Sequence, residues 1–137
     1  MGKGTHDFRQ DERNANILIN INGELLPRDR AVVSVFDSGF ILGDGIWEGL
    51  RVHRGRIPFL DRHMKRLWEG AAALDLDLGM SREDLQARLY QTLEANAMAE
   101  DVHIRLMVTR GIKSTPYQDP AVTISGPTIV IIPEYKT

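Results

Sequence analysis

The stretch FILGDGIWEGLR, residues 40–51, decides how this chain is read. It sets Gly43, Gly45 and Gly49 beside Trp47, Glu48 and Arg51. Glycine weakens a strand, so its presence there marks either a tight turn or a place where backbone approaches a ligand closely. A bulky aromatic and two charges at the same place point to the wall of a pocket. Taken alone, an ordinary glycine-rich turn fits the stretch equally well.

Upstream of it, residues 15–21 alternate as a strand, with Ile17, Ile19 and Ile21 on one buried face. Asn22-Gly23 is a hairpin turn, and residues 24–26 return. Pro27 and Asp29 open a loop. Asp37-Ser38 caps a short helical turn that ends in the loop holding Gly43, Asp44 and Gly45. Downstream, residues 46–53 read as one arm of a second hairpin, turned at Arg54-Gly55 and returned by residues 56–59. Residues 60–76 are an amphipathic helix. Leu60, Met64, Leu67, Trp68, Ala71 and Leu74 share one face, and Asp61 sits near the start, where the dipole favours an acid. Ser81 opens a second helix reaching about Ala97, with Leu85, Leu89 and Leu93 aligned; Asp84 stands where a capping box has Glu or Gln.

Residues 102–109 form a strand with Val102, Ile104, Leu106 and Val108 on one face, and His103, Arg105, Met107 and Thr109 on the other. Residues 112–127 are a long polar connection of the kind that serves as a binding loop. Residues 128–132 are a continuous apolar run, expected to be a central strand covered on both sides. The order predicts an α+β fold: an antiparallel or mixed sheet with two helices packed on one face. Residues 1–14 lack periodicity and read as a flexible arm; residues 15–137 read as one domain.

Composition narrows the function. The chain has 137 residues, a formal charge of −2, 42% hydrophobic residues and no cysteine. A nucleic-acid binder would show a basic surplus, and thiolate nucleophiles, disulfides and cysteine-ligated metals are excluded. No apolar run approaches the roughly 18 residues of a membrane span, and the polar first 16 residues hold no signal sequence. The expected location is the cytoplasm, with no membrane or nucleic-acid partner. The histidines, His6, His53, His63 and His103, show no metal-ligand spacing with a matching acid. Ser34, Ser38, Ser114 and Ser125 have no nucleophile-elbow setting, and no phosphate-cradling glycine loop or dinucleotide fingerprint is present.

Two arginines carry the chemistry that remains. Arg66 precedes Leu67 on the first long helix and flanks its apolar face. From there a guanidinium either lies along the surface or grips a phosphate through two parallel hydrogen bonds. Arg105 is in mid-strand, where an unpaired burial would be too costly, so it must reach solvent, an acid or a ligand. Pattern alone leaves open whether it pairs across strands with Glu48, pairs with Asp44, or orients a substrate carboxylate.

Three segments together resemble a known family. DSGFILGDGIWEGLR (residues 37–51), DRHMKRL (61–67) and HIRLMVTRG (103–111) are similar to motifs of the class IV aminotransferases, the pyridoxal-phosphate enzymes of fold type IV. These include branched-chain and D-amino acid aminotransferases, (R)-selective amine transaminases and aminodeoxychorismate lyase. The resemblance runs from about Ile17 to the end and covers the small N-terminal domain. It implies a C-terminal domain bearing the cofactor-linking lysine, because Lys3, Lys65, Lys113 and Lys136 do not match that position. No catalytic residue and no metal ligand is therefore expected here.

The resemblance also implies roles. Arg66 matches the arginine that holds the phosphate of pyridoxal 5′-phosphate. Trp47 stands where Phe or Tyr usually lines the substrate pocket, with Glu48 and Gly49 keeping the pattern. Arg105 matches an arginine at the substrate side of the branched-chain enzymes. Leu42 replaces a frequent tyrosine. The loop from Gly111 to Asp119 lacks the Arg-x-His of the D-amino acid enzymes, which points to the branched-chain side. The implied reaction moves an amino group between an amino acid or amine and a 2-oxo acid, with this chain inactive alone. A lyase of the same family and a non-catalytic binding domain are the alternatives. The family implies a homodimer or larger assembly, to which residues 30–42 are expected to contribute.

Overall fold

The computed structural model describes residues 10–136. Its centre is a five-stranded antiparallel sheet, β1 (Leu18–Ile21), β2 (Glu24–Pro27), β3 (Gly45–Val52), β4 (Val102–Thr109) and β5 (Thr128–Tyr135), in the order β2-β1-β5-β4-β3. Two long helices, α2 (Leu60–Ala73) and α3 (Arg82–Ala95), cover one face; a short α1 (Ser38–Leu42) precedes β3. The expected α+β architecture is what forms.

The register places Glu48, Leu106, Ile131 and Asn20 in one row across β3, β4, β5 and β1. This row faces the helices: Glu48 bonds to α2 and Asn20 to Thr92 of α3. Above and below it the helix face is apolar. Leu50, Val52, Ile104, Val108 and Ile129 pack against Met64, Leu67 and Ala71 of α2 and Leu85, Leu89 and Leu93 of α3. The next row, Gly49, Arg105 and Ile132, points to the opposite face, because strand side chains alternate.

That register corrects three expectations. Ile17 and Ile19 are buried as expected and Ile21 partly so, but they lie on the far face of β1, and the helix-facing position is the fully buried Asn20. Its amide donates to Thr92 Oγ1 and its carbonyl accepts from Gly23 N, which is why a polar side chain is tolerated there. β5 is central, yet it is fully covered only on its Ile129, Ile131 and Pro133 side; on the far face Thr128 is buried while Val130 and Ile132 are half-buried. No return strand follows β3: after Arg54-Gly55 a lone His53–Arg56 bridge forms, and the chain turns into α2 at Phe59, whose φ is 58°.

The hairpin is as expected, with positive φ at both Asn22 and Gly23. Ser81 caps α3 through Asp84 N. Of the arm expected over residues 1–14, residues 1–9, with Lys3, His6 and Phe8, lie outside the described residues. Glu12–Asn16 forms a 3-10 turn, and the Asn14 side chain bonds both N and O of Tyr135. The pairing of β1 with β5 stops at Asn20–Ile131 and does not reach Leu18. There the Asn96 side chain replaces the strand, accepting from Leu18 N and donating to Leu18 O.

Candidate functional site

The glycines of residues 40–51 do different things. Gly43 ends α1 in the left-handed region at φ 67°, and its N–H donates to the carbonyl of Gly39. Gly45 lets β3 start hard against β4; a Cβ there would stand 2.7 Å from Val108 O. Gly49 lies beneath the Trp47 indole. Turn and pocket wall are both present in the one stretch.

The wall belongs to an open pocket of about 440 Å³ along the free edge of β3, lined by Ile46, Trp47, Glu48, Gly49, Arg66, Leu67 and Gly70. Arg66 is presented to it by α2 and fastened from behind. Its Nε donates to Glu48 Oε1 at 2.6 Å and its Nη2 to Glu48 Oε2 at 2.7 Å. The carboxylate side chain is 4% exposed and the arginine side chain 70%. Nη1 has no partner among the described residues. His63, one turn earlier on α2, places Nδ1 2.9 Å from Glu48 Oε2. The Arg66 hydrogen bonds, aided by His63, hold the Glu48 carboxyl below its ordinary pKa. An ionised carboxylate only accepts, so Nδ1 of His63 carries the proton.

Arg105 stands on the far face. Its guanidinium carbon is 4.3 Å from the centre of the Trp47 ring, and it has no acidic partner among the described residues. The strand alternation rules out the Glu48 pairing, since Glu48 points to the helices. Asp44 is taken too: Arg110 donates to its Oδ2 at 2.7 Å and, through Nη2 and Nη1, to the carbonyls of Leu74 and Asp75 beyond α2. Arg105 is thus left with an indole face and free donors, a setting suited to an anion.

The structure brings Trp47 and Arg105 together and sets Arg66 around the edge of β3 from them. It does not bring Glu48 or Leu42 to them as substrate contacts. The Glu48 carboxylate is fully engaged by Arg66 and His63, and Leu42, at the end of α1, is absent from the pocket lining. Sequence reasoning set His63 aside for want of metal-ligand spacing; its spacing of three from Arg66 was the available signal. The expected cap of α1 at Asp37-Ser38 forms, and the structure adds the bonds behind it. Buried Asp37 accepts from Gly39 N and Thr109 Oγ1, and Ser38 Oγ accepts from Gly111 N. This network fixes residues 32–42, where Val32, Val35, Phe36 and Phe40 stand exposed.

A family model described as amino-transferase class IV matches residues 45–134, from the first residue of β3 to within one residue of the end of β5. The chain belongs to the class IV aminotransferases. A branched-chain-amino-acid aminotransferase-like protein of Arabidopsis thaliana is 42% identical over 123 residues, covering 90% of this chain and 22% of that protein. A D-alanine aminotransferase of Bacillus licheniformis is 36% identical over 90 residues, covering 66% of this chain and 31% of its own length. Among solved structures, the branched-chain aminotransferase of Thermoproteus uzoniensis superposes with a TM-score of 0.72 at 25% identity, covering 87% of this chain and 40% of that one. The 4-amino-4-deoxychorismate lyase of Pseudomonas aeruginosa superposes at 0.63 with 28% identity, covering 85% and 39%. The chain therefore spans between a fifth and two fifths of the length of these class IV proteins. Another branched-chain amino acid aminotransferase of the same fold was solved with pyridoxamine 5′-phosphate. Among the described residues no helix is long and apolar enough to cross a membrane.

Proposed function

We propose that this chain is the small domain of a pyridoxal-phosphate-dependent transaminase, which moves an amino group between a branched-chain-like amino acid and a 2-oxo acid. The observation that carries the reading is Arg66. It is a guanidinium pinned on two nitrogens by a buried acid, on a residue that lines the pocket, and a branched-chain aminotransferase of the same fold was solved with pyridoxamine 5′-phosphate. The residues present fit a phosphate: a planar donor array with fixed aim suits a tetrahedral anion. When bound, the pyridoxal ring supplies the electron sink for amino transfer.

In this reading Arg66 binds the phosphate. Trp47 forms one wall of the substrate pocket, and its indole narrows it relative to phenylalanine or tyrosine. Arg105, braced on that indole, orients a substrate carboxylate. Residues 112–127 close the pocket over them. Glu48 serves through Arg66 and touches no substrate. The lysine that links cofactor and moves the proton is supplied by a C-terminal domain, so residues 1–137 alone turn over nothing. The exposed Val32, Val35, Phe36 and Phe40 pack in the dimer of the complete protein.

The test is the full-length protein with Arg66→Ala. Loss of pyridoxal phosphate affinity by about tenfold or more, read by absorbance titration, is expected for removal of a charge-assisted phosphate contact. Undiminished retention would overturn the assignment. A lyase is the second reading, favoured by the 28% identity to the Pseudomonas aeruginosa enzyme. Product formation without any 2-oxo acid acceptor selects the lyase; strict dependence on the acceptor selects the transaminase.

A further inference from the structure

The cluster of Glu48, His63 and Arg66 contains more than a phosphate contact needs. Arg66 alone, 70% exposed on a helix surface, would sample many rotamers. Instead two of its three nitrogens are held by a carboxylate that is itself 4% exposed. The carboxylate sits in a row whose neighbours on β4 and β5 are Leu106 and Ile131, both fully buried. Stability does not explain an acid at that position: replacing a buried ion pair with well-packed apolar side chains is often neutral or favourable. An aliphatic residue there would extend the core of its own row.

The geometry points to Glu48 as the positioning residue of the phosphate site, with His63 as its brace. The inference rests on Arg66 being the phosphate ligand. Glu48 takes Nε and Nη2 in a fork, which leaves Nη1 as the unbonded end of a side chain that lines the pocket. A fork fixes the plane of the guanidinium as well as its place, and a lysine cannot be held this way. Oε2 also accepts from His63 Nδ1, so the carboxylate cannot swing out to follow a mobile arginine. His63 and Arg66 are three apart on α2 and meet the same carboxylate from one side, which ties the aim of Arg66 to the rigid pairing of β3 with α2. Ligand affinity at Arg66 therefore depends on two side chains that never touch the ligand.

The experiment is a double-mutant cycle in the full-length protein, with pyridoxal 5′-phosphate affinity read by absorbance titration and folding checked by circular dichroism. Glu48→Gln keeps the shape and removes the charge; it is expected to weaken affinity about tenfold, and His63→Gln about threefold. In an Arg66→Ala background, Glu48→Gln is expected to change affinity less than about twofold, because its effect passes through the arginine. Arg66→Lys is expected to fall toward Arg66→Ala although it keeps the charge. Inorganic phosphate should compete with the cofactor less well in Glu48→Gln than in wild type. If Arg66→Ala weakens binding while Glu48→Gln does not, the positioning role is overturned and the phosphate assignment stands. If Arg66→Ala has no effect, both fall. Equal losses from Glu48→Gln with and without Arg66 would also overturn it, since the acid would then act through the fold at large. Should Glu48→Gln not fold, His63→Gln and Arg66→Lys carry the same test, and wild-type affinity in both overturns the proposal.

Discussion

The two faces of the sheet are built from the same strands and answer to different demands. On the helix side, Leu106, Ile131, Leu50 and Val108 are buried, and the polar intruders Asn20 and Glu48 each have partners for their side chains. One residue along each strand, the far side presents Trp47 at 59% exposure, Arg105 without an acid, and half-buried Met107, Val130 and Ile132. The alternation of β3 and β4 lets one pair of strands hold a core on one side and set Trp47 and Arg105 free on the other. The division is by parity: even residues of β3 face the helices, where Glu48 holds Arg66, and odd ones face away.

The contrast breaks most visibly at its centre. Leu106→Ala should destabilise the protein by about 2–5 kcal/mol in urea unfolding, as a fully buried leucine leaves a cavity. Met107→Ala, its neighbour on the far face, should cost less than about 1 kcal/mol. Equal losses would mean that something covers the far face as tightly as α2 and α3 cover the other. Next in size, Asn20→Ala should cost about 1–3 kcal/mol, because Thr92 Oγ1 loses its partner within the core and Gly23 N its partner in the hairpin turn. Trp47→Ala should leave the urea midpoint nearly unchanged and raise the KM for the amino donor in the full-length protein by about tenfold, removing an indole wall and the seat of Arg105. A large loss of stability with unchanged KM would move Trp47 to the structural side of the division.

The smallest effects are electrostatic, and they differ between the faces. Glu48 has a lowered pKa, chiefly through Arg66 and then His63. Its contribution to stability is complete above the ordinary glutamate value and lost as pH falls through the lower folded value. His103 on the far face is also lowered, first by burial and then by Arg51 and Lys136. The folded state binds its proton less readily than the unfolded chain, so stability falls as pH drops through the ordinary histidine range. Urea midpoints from about pH 8 to about pH 4 should show both slopes. His103→Gln should remove the upper one and Glu48→Gln the lower; a slope that survives its substitution belongs to another group.

Much of this was legible beforehand. β4 (Val102–Thr109) formed at its expected bounds because strict alternation over eight residues leaves one way to bury a face. The helices were readable from leucine spacing and the Ser81 cap. The register of β1 was only half legible: Ile17 and Ile19 are buried as their pattern suggests, but only the pairing with β5 shows that the buried Asn20 between them and Ile21 faces α3. The second hairpin failed for a related reason: Arg54-Gly55 makes its turn, but residues 56–59 are claimed by the entry to α2. At the site, Arg66, Trp47 and Arg105 were visible as residue types in motifs. Their mutual arrangement was not, because Glu48 pairing with Arg66 rather than Arg105 depends on which side of β3 each helix lands.

The Asn96 side chain standing in for a strand opposite Leu18 ties the β1–β2 hairpin to the end of α3. With the Asn20–Thr92 bond one turn earlier, two side-chain links join elements far apart in sequence. Hairpin and helix then open as one cooperative unit. In native-state hydrogen exchange, the Leu18 amide, held by a side chain rather than a ladder, should lose its protection at the same free energy as the α3 backbone, so that its deuteration reports the melting of a helix it is not part of.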